Sequence, residues 1–252
     1  MPPARAGPLA IAPAAVINPT RPAPRVETFS QTCPSAVRAA FLDFDHTLLG
    51  ADSNQLWLEY LDAQGMVSPE VLRRHEAYMR DYAAGGLDFT ALDAFRAELD
   101  GSVEPGLLQA CREACVRERL VPALAPRATD VVAQLRAQGV LLIVVSASRE
   151  ALLRPVVRHL GIEHLIAADS PQGAGLAQPC FGQGKVLHVE HALRSMGLCL
   201  DGLERSWFYS DSHNDLPLLE QVSDPVAVDP DPLLERVAQW RGWPVVSWRE
   251  AV

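Results

Sequence analysis

Three apolar runs constrain the fold of this chain more than any other feature of its sequence. They span residues 37–45, 140–148 and 206–212, and each ends in small polar or acidic residues. Runs that are apolar on both faces are typical of central strands in a parallel sheet that helices cover on both sides. Because an open α/β sheet binds its ligands beyond the carboxyl ends of its strands, we expect the polar residues that end these runs to share one site.

Helical patterns separate the three runs. One begins at Pro126 and ends at Gly139, and another contains Pro155, which should kink the helix or begin its last turns before Gly161. Alternation of strands and helices predicts an α/β fold with a doubly wound parallel sheet. Further elements are expected as a helix at 185–197, a short strand at 225–228, a helix at 231–240 and an edge-like strand at 244–248.

Segment 52–121 carries no strand pattern. It contains three stripes at helical spacing, formed by Trp57, Tyr60 and Leu61, by Val71, His75, Tyr78 and Tyr82, and by Leu92, Phe95 and Leu99. Helices that pack on one another would account for these stripes. An all-helical insertion directly after the first strand would also lie over the carboxyl edge of the sheet, as a lid does.

Bulk properties restrict the partners of the protein. The 252 residues are 48% hydrophobic, which allows a sizeable core, and 22 basic against 31 acidic side chains give a formal charge of -9. This charge argues against nucleic acid or an anionic membrane as the main partner. Five cysteines without a CxxC pair fit reduced thiols in a cytosolic protein. Residues 1–36, rich in Pro and Ala, are predicted to be a disordered extension or the product of a misplaced start codon.

Four carboxylates are expected at the ends of the strands. Asp43 and Asp45 follow the first run, and Asp211 and Asp215 follow the third. Converging carboxylates cannot all ionise unpaired, whereas a hard cation such as Mg2+ binds such oxygens and would hold their charge. The sequence therefore predicts a Mg2+ site at this edge.

A cation and a hydroxyl are expected at the same edge. Lys185 and Ser146 could together hold an anion whose oxygens also touch the metal. Such a set of groups suits phosphoryl transfer to a carboxylate, with an aspartyl-phosphate intermediate.

The motifs DFDHT, VVSAS, GQGK and SDSHND, in this order and spacing, resemble those of the haloacid-dehalogenase-like (HAD) superfamily of phosphatases. The pattern is most similar to subfamily IB, which is phosphoserine-phosphatase-like, and the match covers about residues 38–250. The resemblance implies a Rossmann-like core over 37–51 and 122–252 and a helical C1 cap domain over 52–121. A catalytically silent HAD-like binding protein would usually lack one of the key charged residues, and all are present here.

The resemblance also implies roles for the residues that carry out the chemistry. Asp43 would be the nucleophile, and Asp45 the acid that protonates the leaving alkoxide and later activates water. Thr47 and Ser146 would bind phosphoryl oxygens, and Lys185 would bridge the nucleophile and the phosphate.

The metal ligands are implied in the same way. Asp43, Asp211 and the main-chain carbonyl of Asp45 would hold Mg2+, with Asp215 acting directly or through water. Asn214 would orient phosphate or substrate. His46 and His213 lie within the motifs at positions that the family does not use for chemistry, so structural roles are expected for them.

The choice of substrate is expected to depend on the insertion and the loop that leads to it. Asp52 lies where phosphoserine phosphatases carry a Glu that accepts the substrate ammonium, although it could equally cap the following helix. A phosphoserine carboxylate would need an Arg, for which Arg73, Arg74 and Arg80 are candidates.

Four longer segments resemble a bacterial group of HAD-type histidinol-phosphatases: GADSNQLWLEYL, QPCFGQGKV, FYSDSHNDLPLLE and PVAVDPDPLLERVAQWRGWPVV. Histidinol phosphate has an ammonium and no carboxylate, and its imidazole would suit an aromatic or acidic surface offered by Trp57, Tyr60, Tyr78 or Glu59. The expected partner is thus a small phosphorylated metabolite, histidinol phosphate first. Phosphoserine or a broad range of metabolites is the alternative, and both monomer and homodimer remain open.

Overall fold

The computed structural model describes residues 35–84, 86–170, 176 and 178–249. Residues 1–34 of the predicted extension lie outside this part. No helix in the described part of the chain is long and apolar enough to cross a bilayer.

A single sheet forms the centre of the fold, with strand order β3-β2-β1-β4-β5-β6 and parallel pairing throughout. This arrangement confirms the prediction of a doubly wound parallel α/β sheet. The strands are β1 Arg38–Leu42, β2 Leu141–Val145, β3 His164–Ile166, β4 Arg205–Ser210, β5 Asp224–Val228 and β6 Val245–Val246.

Helices connect the strands, and the first four of them lie within segment 52–121. The helices are α1 Ser53–Ala63, α2 Pro69–Ala83, α3 Phe89–Gly101, α4 Pro105–Cys115, α5 Pro126–Ala137, α6 Glu150–His159, α7 Gln183–Ser195, α8 Leu216–Leu219 and α9 Pro232–Arg241. Short helical turns cover Val116–Leu120, Val121–Ala123, Leu200–Gly202 and His213–Asp215.

The strand order brings the ends of the three apolar runs together. β1 lies between β2 and β4, and Leu42 pairs with both Val144 and Tyr209. The chain therefore leaves β1 toward one edge of the sheet and later returns to its other side at β4. The residues that follow these three strands lie at such a switch point, where open α/β sheets bind ligands.

Both faces of the sheet are covered by apolar side chains, which explains why the runs are apolar at every position. Ala40 and Leu42 point into a core shared with α1, α4, α5 and α6. Phe41 and Phe208 point to the opposite side and pack against α7 and α9. Alternate residues of one strand thus enter different layers.

The inserted helices share the first of these two cores. Trp57, Leu61, Leu99 and Cys115 belong to the same buried cluster as Leu42 of β1. Leu49 and Leu124 form an antiparallel bridge where the chain enters and leaves the insertion. Because the apolar core is continuous across this boundary, the division into a core and a separate cap at residues 52 and 121 stays a prediction.

Helix α6 and strand β3 add detail that the sequence patterns did not contain. Helix α6 runs through Pro155 from Glu150 to His159, so the proline does not end it. The edge strand β3 pairs three residues with β2 and was not expected from the sequence.

Candidate active site

The first acidic residue extends the end of β1. The N–H of Asp43 donates to the carbonyl of Tyr209 at 2.9 Å, which continues the β1–β4 pairing by one residue. The chain then turns sharply, with His46 at φ 59°. The turn separates the paths of Asp43 and Asp45, yet both side chains line the same cavity.

A buried lysine lies between two of the carboxylates. The Nζ of Lys185 donates to Oδ1 of Asp43 at 2.6 Å and to Oδ2 of Asp215 at 2.8 Å, and its side chain is 2% exposed. Ser210 also donates to Oδ2 of Asp215, at 2.7 Å. Burial alone would lower the pKa of Lys185, but the charges of Asp215 and Asp43 outweigh it and hold the pKa well above its ordinary value. Lys185 is therefore a permanent cation beside Asp43.

The carboxylates raise one another's affinity for protons. Burial, together with the charges of Asp215 and Asp45, raises the pKa of Asp43 to about 7, although Lys185 acts in the opposite direction. Burial and the charges of Asp43 and Asp215 raise the pKa of Asp211 to about 8. Burial is the larger cause in both cases, and the like charges add to it, so a bound cation would compensate these carboxylates.

The donor set suits a hard divalent cation. Oδ1 of Asp215 is buried and has no hydrogen-bond partner among the described residues. Within the described ranges, no three acidic, histidine or cysteine side chains form a ready-made metal cage. Mg2+ does not require one, because it usually keeps several waters and uses one or two carboxylates together with substrate phosphate oxygens.

Asp45 has a separate environment. Its Oδ1 accepts the backbone N–H of Ser53 at 2.6 Å, and its Oδ2 accepts the hydroxyl of Ser148 at 2.6 Å. Burial and the charge of Asp52 raise the pKa of Asp45 to about 6, although the hydrogen bonds from Ser148 and Ser53 oppose this. Asp45 can therefore exchange a proton near neutral pH.

The three remaining motif residues lie around Asp43 in different ways. Ser146 and Asn214 line the cavity beside it. Thr47 is buried, and its hydroxyl donates to Oδ1 of Asp211 at 3.2 Å. Its role as a phosphate ligand stays a prediction, since in this structure the hydroxyl has an acidic partner.

A cavity of about 720 Å³ extends from the carboxylates toward the inserted helices. Its volume suits a small metabolite. Away from the carboxylates its wall is formed by Met79, Tyr82, Leu87, Phe89, Leu92, Arg96, Pro232, Leu233 and Arg236.

Asp52 lies on the wall of this cavity and also caps α1. Its Oδ1 accepts the backbone N–H of Gln55 at 2.8 Å. The capping alternative therefore describes its present contact, while contact with a substrate ammonium stays a prediction.

The arginines expected to meet a substrate carboxylate are elsewhere. Arg73 pairs with Glu70 and Arg74 with Glu98, and neither they nor Arg80 line the cavity. The cavity instead contains Arg96, from α3, and Arg236, from α9. The sequence pattern did not identify Arg96 and Arg236 among the other arginines. Their helices meet the cavity only through contacts with residues that are distant in sequence.

The aromatic surface also differs from the expected one. Trp57, Glu59, Tyr60 and Tyr78 do not line the cavity. Its aromatic side chains are Tyr82 and Phe89, whose ring centroids lie 4.9 and 5.1 Å from that of Phe181. Phe181 precedes α7, so this ring cluster connects the insertion to the start of the helix that carries Lys185.

A histidine–aspartate pair was missed by the sequence analysis. Nδ1 of His213 lies 2.7 Å from Oδ2 of Asp231, and both residues line the cavity. Asp231 caps α9 through the N–H groups of Leu233 and Leu234. Its position before a helix could have identified it as a cap, but not its contact with His213.

Comparison with known proteins agrees with this geometry. A family model described as haloacid dehalogenase-like hydrolase matches residues 40–220. A histidinol-phosphatase of Neisseria meningitidis serogroup C is 33% identical over 219 residues, which cover 83% of this chain and 98% of that protein.

Two solved structures are also similar. A protein of unknown function from Bordetella pertussis Tohama I has a TM-score of 0.76 at 37% identity, over 85% of this chain and 100% of that one. A phosphoserine phosphatase, solved as an analogue of its phospho-aspartyl intermediate, has a TM-score of 0.57 at 15% identity, over 86% and 95%. The second likeness concerns the fold alone.

Proposed function

The chain belongs to the haloacid dehalogenase-like hydrolase family and is a phosphoric monoester hydrolase, and on this premise we propose that its substrate is histidinol phosphate. We further propose that it acts in histidine biosynthesis in the cytoplasm, with Mg2+ as its cofactor. The observation that carries the proposed mechanism is the position of Lys185 between Asp43 and Asp215 at the strand ends.

Asp43 is assigned as the nucleophile. Lys185 occupies its Oδ1, which leaves Oδ2 to attack phosphorus. A bond forms between Oδ2 and phosphorus while the bond from phosphorus to the substrate oxygen breaks, and Asp45 gives its proton to the leaving alkoxide. Water then attacks phosphorus while it gives a proton to Asp45, and the bond between phosphorus and Oδ2 of Asp43 breaks, which frees the carboxylate and releases inorganic phosphate.

The remaining groups bind the phosphoryl oxygens. Lys185 supplies a fixed positive charge, and Ser146 and Asn214 are assigned as hydrogen-bond partners on the cavity wall. Thr47 is assigned to the same set once its hydroxyl is released from Asp211. Lys185, Ser146 and Asn214 need little reorganisation before the reaction, whereas Thr47 must first exchange its partner.

HAD phosphatases generally use Mg2+. In this chain Asp43, Asp211 and the main-chain carbonyl of Asp45 would hold it, and Asp215 would contribute through its unpartnered Oδ1 or through water. When bound, the ion neutralises the carboxylates and draws charge from the phosphoryl oxygens.

The choice of histidinol phosphate is supported by the similarity to the Neisseria enzyme, which extends over nearly all of that protein. Asp52 would accept the substrate ammonium at the cavity wall. His213 and Asp231 add further polar groups to the same wall.

Phosphoserine is the alternative, and one observation favours it. Arg96 is buried on the cavity wall, and its ion pair with Asp93 is long, at 3.4 Å. A buried and weakly paired cation could receive a substrate carboxylate, which histidinol phosphate lacks.

The test is phosphate release from histidinol phosphate, phosphoserine and a set of sugar phosphates and nucleotides, each with Mg2+ and with EDTA. We expect histidinol phosphate to lead by at least about a hundredfold in kcat/KM, which corresponds to ~2.7 kcal/mol. A lead for phosphoserine would assign Arg96 to its carboxylate, and equal rates across the set would exclude a dedicated substrate.

The Asp43→Asn variant tests the nucleophile in the same assay. It should lose nearly all phosphate release with every ester, since the amide cannot form the intermediate. Turnover at the wild-type rate would remove Asp43 from this role.

A further inference from the structure

We propose that Ser148 and Asn54, which lie outside the catalytic roles assigned above, are positioning residues that hold the carboxylate of Asp45 toward the leaving group. This inference rests on the proposed function of Asp45 as the acid. It concerns a chain of hydrogen bonds that runs from Asn54 of α1 through Ser148 to Asp45.

Both oxygens of Asp45 are held. The hydroxyl of Ser148 donates to Oδ2 and the N–H of Ser53 donates to Oδ1, each at 2.6 Å. The torsion that turns an aspartate carboxylate has broad minima, so a single hydrogen bond would leave the plane of the group free to rotate. Two donors on different oxygens fix that plane. Each oxygen keeps a second lone pair, which can carry the transferable proton.

Ser148 is itself held in place. Its N–H donates to Oγ of Ser146 at 3.1 Å, its carbonyl accepts the N–H of Ala168 at 3.0 Å, and the residue is 4% exposed. These contacts fix the backbone of Ser148, and its side chain therefore starts from a fixed position beside Asp45.

Asn54 determines the direction of the hydrogen bond to Asp45. Its side-chain amide donates to Oγ of Ser148 at 2.7 Å. A serine hydroxyl has one proton and two lone pairs, so when one lone pair accepts from Asn54 the proton remains for Asp45. Asn54 thus makes Ser148 a donor at the moment when Asp45 becomes a carboxylate.

The hydrogen bonds also join two parts of the fold. Ser53 and Asn54 belong to the first turn of α1, whereas Ser148 follows β2 of the sheet. Asp45 therefore has its observed orientation only when the first turn of α1 lies against the loop after β2.

The Ser148→Ala variant tests this with two esters that differ in their need for an acid. An alkyl phosphate such as histidinol phosphate or phosphoserine, whichever the wild type hydrolyses, releases a basic alkoxide. p-Nitrophenyl phosphate releases a phenolate that needs no proton. The quantity to compare is kcat/KM, because it includes only steps up to formation of the phospho-enzyme.

We expect Ser148→Ala to lower kcat/KM for the alkyl ester by about 30-fold or more, and for p-nitrophenyl phosphate by less than about threefold. Ser148→Thr should restore most of the loss because it keeps the hydroxyl. Asn54→Ala should show the same selectivity at a smaller loss, and it provides the test if Ser148→Ala does not fold. Ser206→Ala is the matched control, since Ser206 is buried and hydrogen-bonded to Ser223 at the start of β4.

Equal losses on the two esters, or an unchanged rate with the alkyl ester, would overturn the positioning role. The failure of the proposed function is distinguishable from this result. If the wild-type protein released no phosphate from any ester, the phosphatase mechanism would fail first.

Discussion

At the scale of single residues, Asp43 and Asp45 have the same side chain but different surroundings, which suit them to different roles. Lys185 donates hydrogen bonds to both Asp43 and Asp215. Asp45 instead accepts hydrogen bonds from Ser148 and Ser53. The pKa of Asp43 is raised to about 7 and that of Asp45 to about 6, mainly by burial. Of these two aspartates, only Asp43 has the positive charge of Lys185 beside it, which stabilises its carboxylate form. This difference favours Asp43 as the nucleophile and Asp45 as the proton donor.

Asp52 allows its two alternative roles to be separated by substitution. Asp52→Asn keeps an oxygen for the N–H of Gln55, so its stability should stay within about 0.5 kcal/mol of wild type, whereas Asp52→Ala should lose about 1 kcal/mol. If Asp52 also binds an ammonium, both variants should lose about tenfold or more in kcat/KM on an amino-bearing ester. Chemical denaturation and the two-ester assay measure these effects.

p-Nitrophenyl phosphate, which has no ammonium, is the control substrate for both Asp52 variants. Should Asp52→Asn keep the wild-type preference for amino esters, the carboxylate would be a helix cap and nothing more.

At the scale of elements, the sequence predicted those features that depend on local pattern. The sequence predicted the central strands β1, β2 and β4 and the helix that begins at Pro126. Apolar runs and helical periodicity can each be recognised within one short segment of the sequence. The three-residue strand β3 was missed, since so short a segment has no periodicity of its own and pairs only because β2 is already present. Helix α6 tolerates Pro155 because tertiary packing of Leu153, Val156 and Val157 compensates for the lost hydrogen bond.

The same distinction applies to the site. Residues directly after strands, such as Asp43 and Asp211, could be predicted because the sheet topology brings strand ends together. The position of Arg96 on the cavity wall and the contact of Ser148 with Asp45 could not, because both depend on how the inserted helices pack against the sheet. Such packing is determined by shape and volume rather than by sequence spacing.

The loop before α7 places Lys185, and Gly184 is the residue on which this depends. A Cβ at position 184 would lie 1.8 Å from the carbonyl oxygen of Pro179, a backbone atom that cannot rotate away. Gly184→Ala should therefore displace the loop, cost more than about 2 kcal/mol of stability and strongly lower kcat. Thermal denaturation and phosphate release measure the two effects.

Gly101→Ala is the control for this substitution. A Cβ at Gly101 meets nothing within 4 Å, and the residue ends α3, so stability should change by less than about 1 kcal/mol. An active and stable Gly184→Ala protein would show that the loop can move without displacing Lys185.

At the scale of the whole molecule, the fold concentrates negative charge at one edge of the sheet. Strand order brings Asp43 and Asp211 together from distant parts of the sequence, and α7 adds Lys185 as the cation beside them. Like charges in a buried site destabilise the folded state unless a proton or a cation compensates them. The stability of the metal-free protein should therefore depend on pH and on Mg2+ through this site.

The sign of the pH dependence follows from Asp211. Burial and the charges of Asp43 and Asp215 raise its pKa from 3.8 to about 8, so the folded state holds this proton more tightly than the unfolded chain does. Its contribution to the stability of the metal-free protein is thus greatest below pH 3.8 and is lost as the pH rises through about 8. Asp211→Asn removes the charge, and the metal-free variant should melt at a higher temperature than the wild type at pH 8.

Mg2+ should stabilise the wild type more than Asp211→Asn, because the wild type keeps the carboxylate that binds the ion. A ligand that binds only the folded state at a hundred times its Kd stabilises by about 2.7 kcal/mol, so saturating Mg2+ should raise the melting temperature of the wild type at pH 8. Asp211→Asn should show little of this rise, while Asp130→Asn, on the exposed face of α5, should respond as the wild type does. An equal Mg2+ response in Asp211→Asn would mean that the ion binds without this carboxylate. A lower melting temperature of that variant without metal would mean that Thr47 and the surrounding backbone already compensate the charge of Asp211.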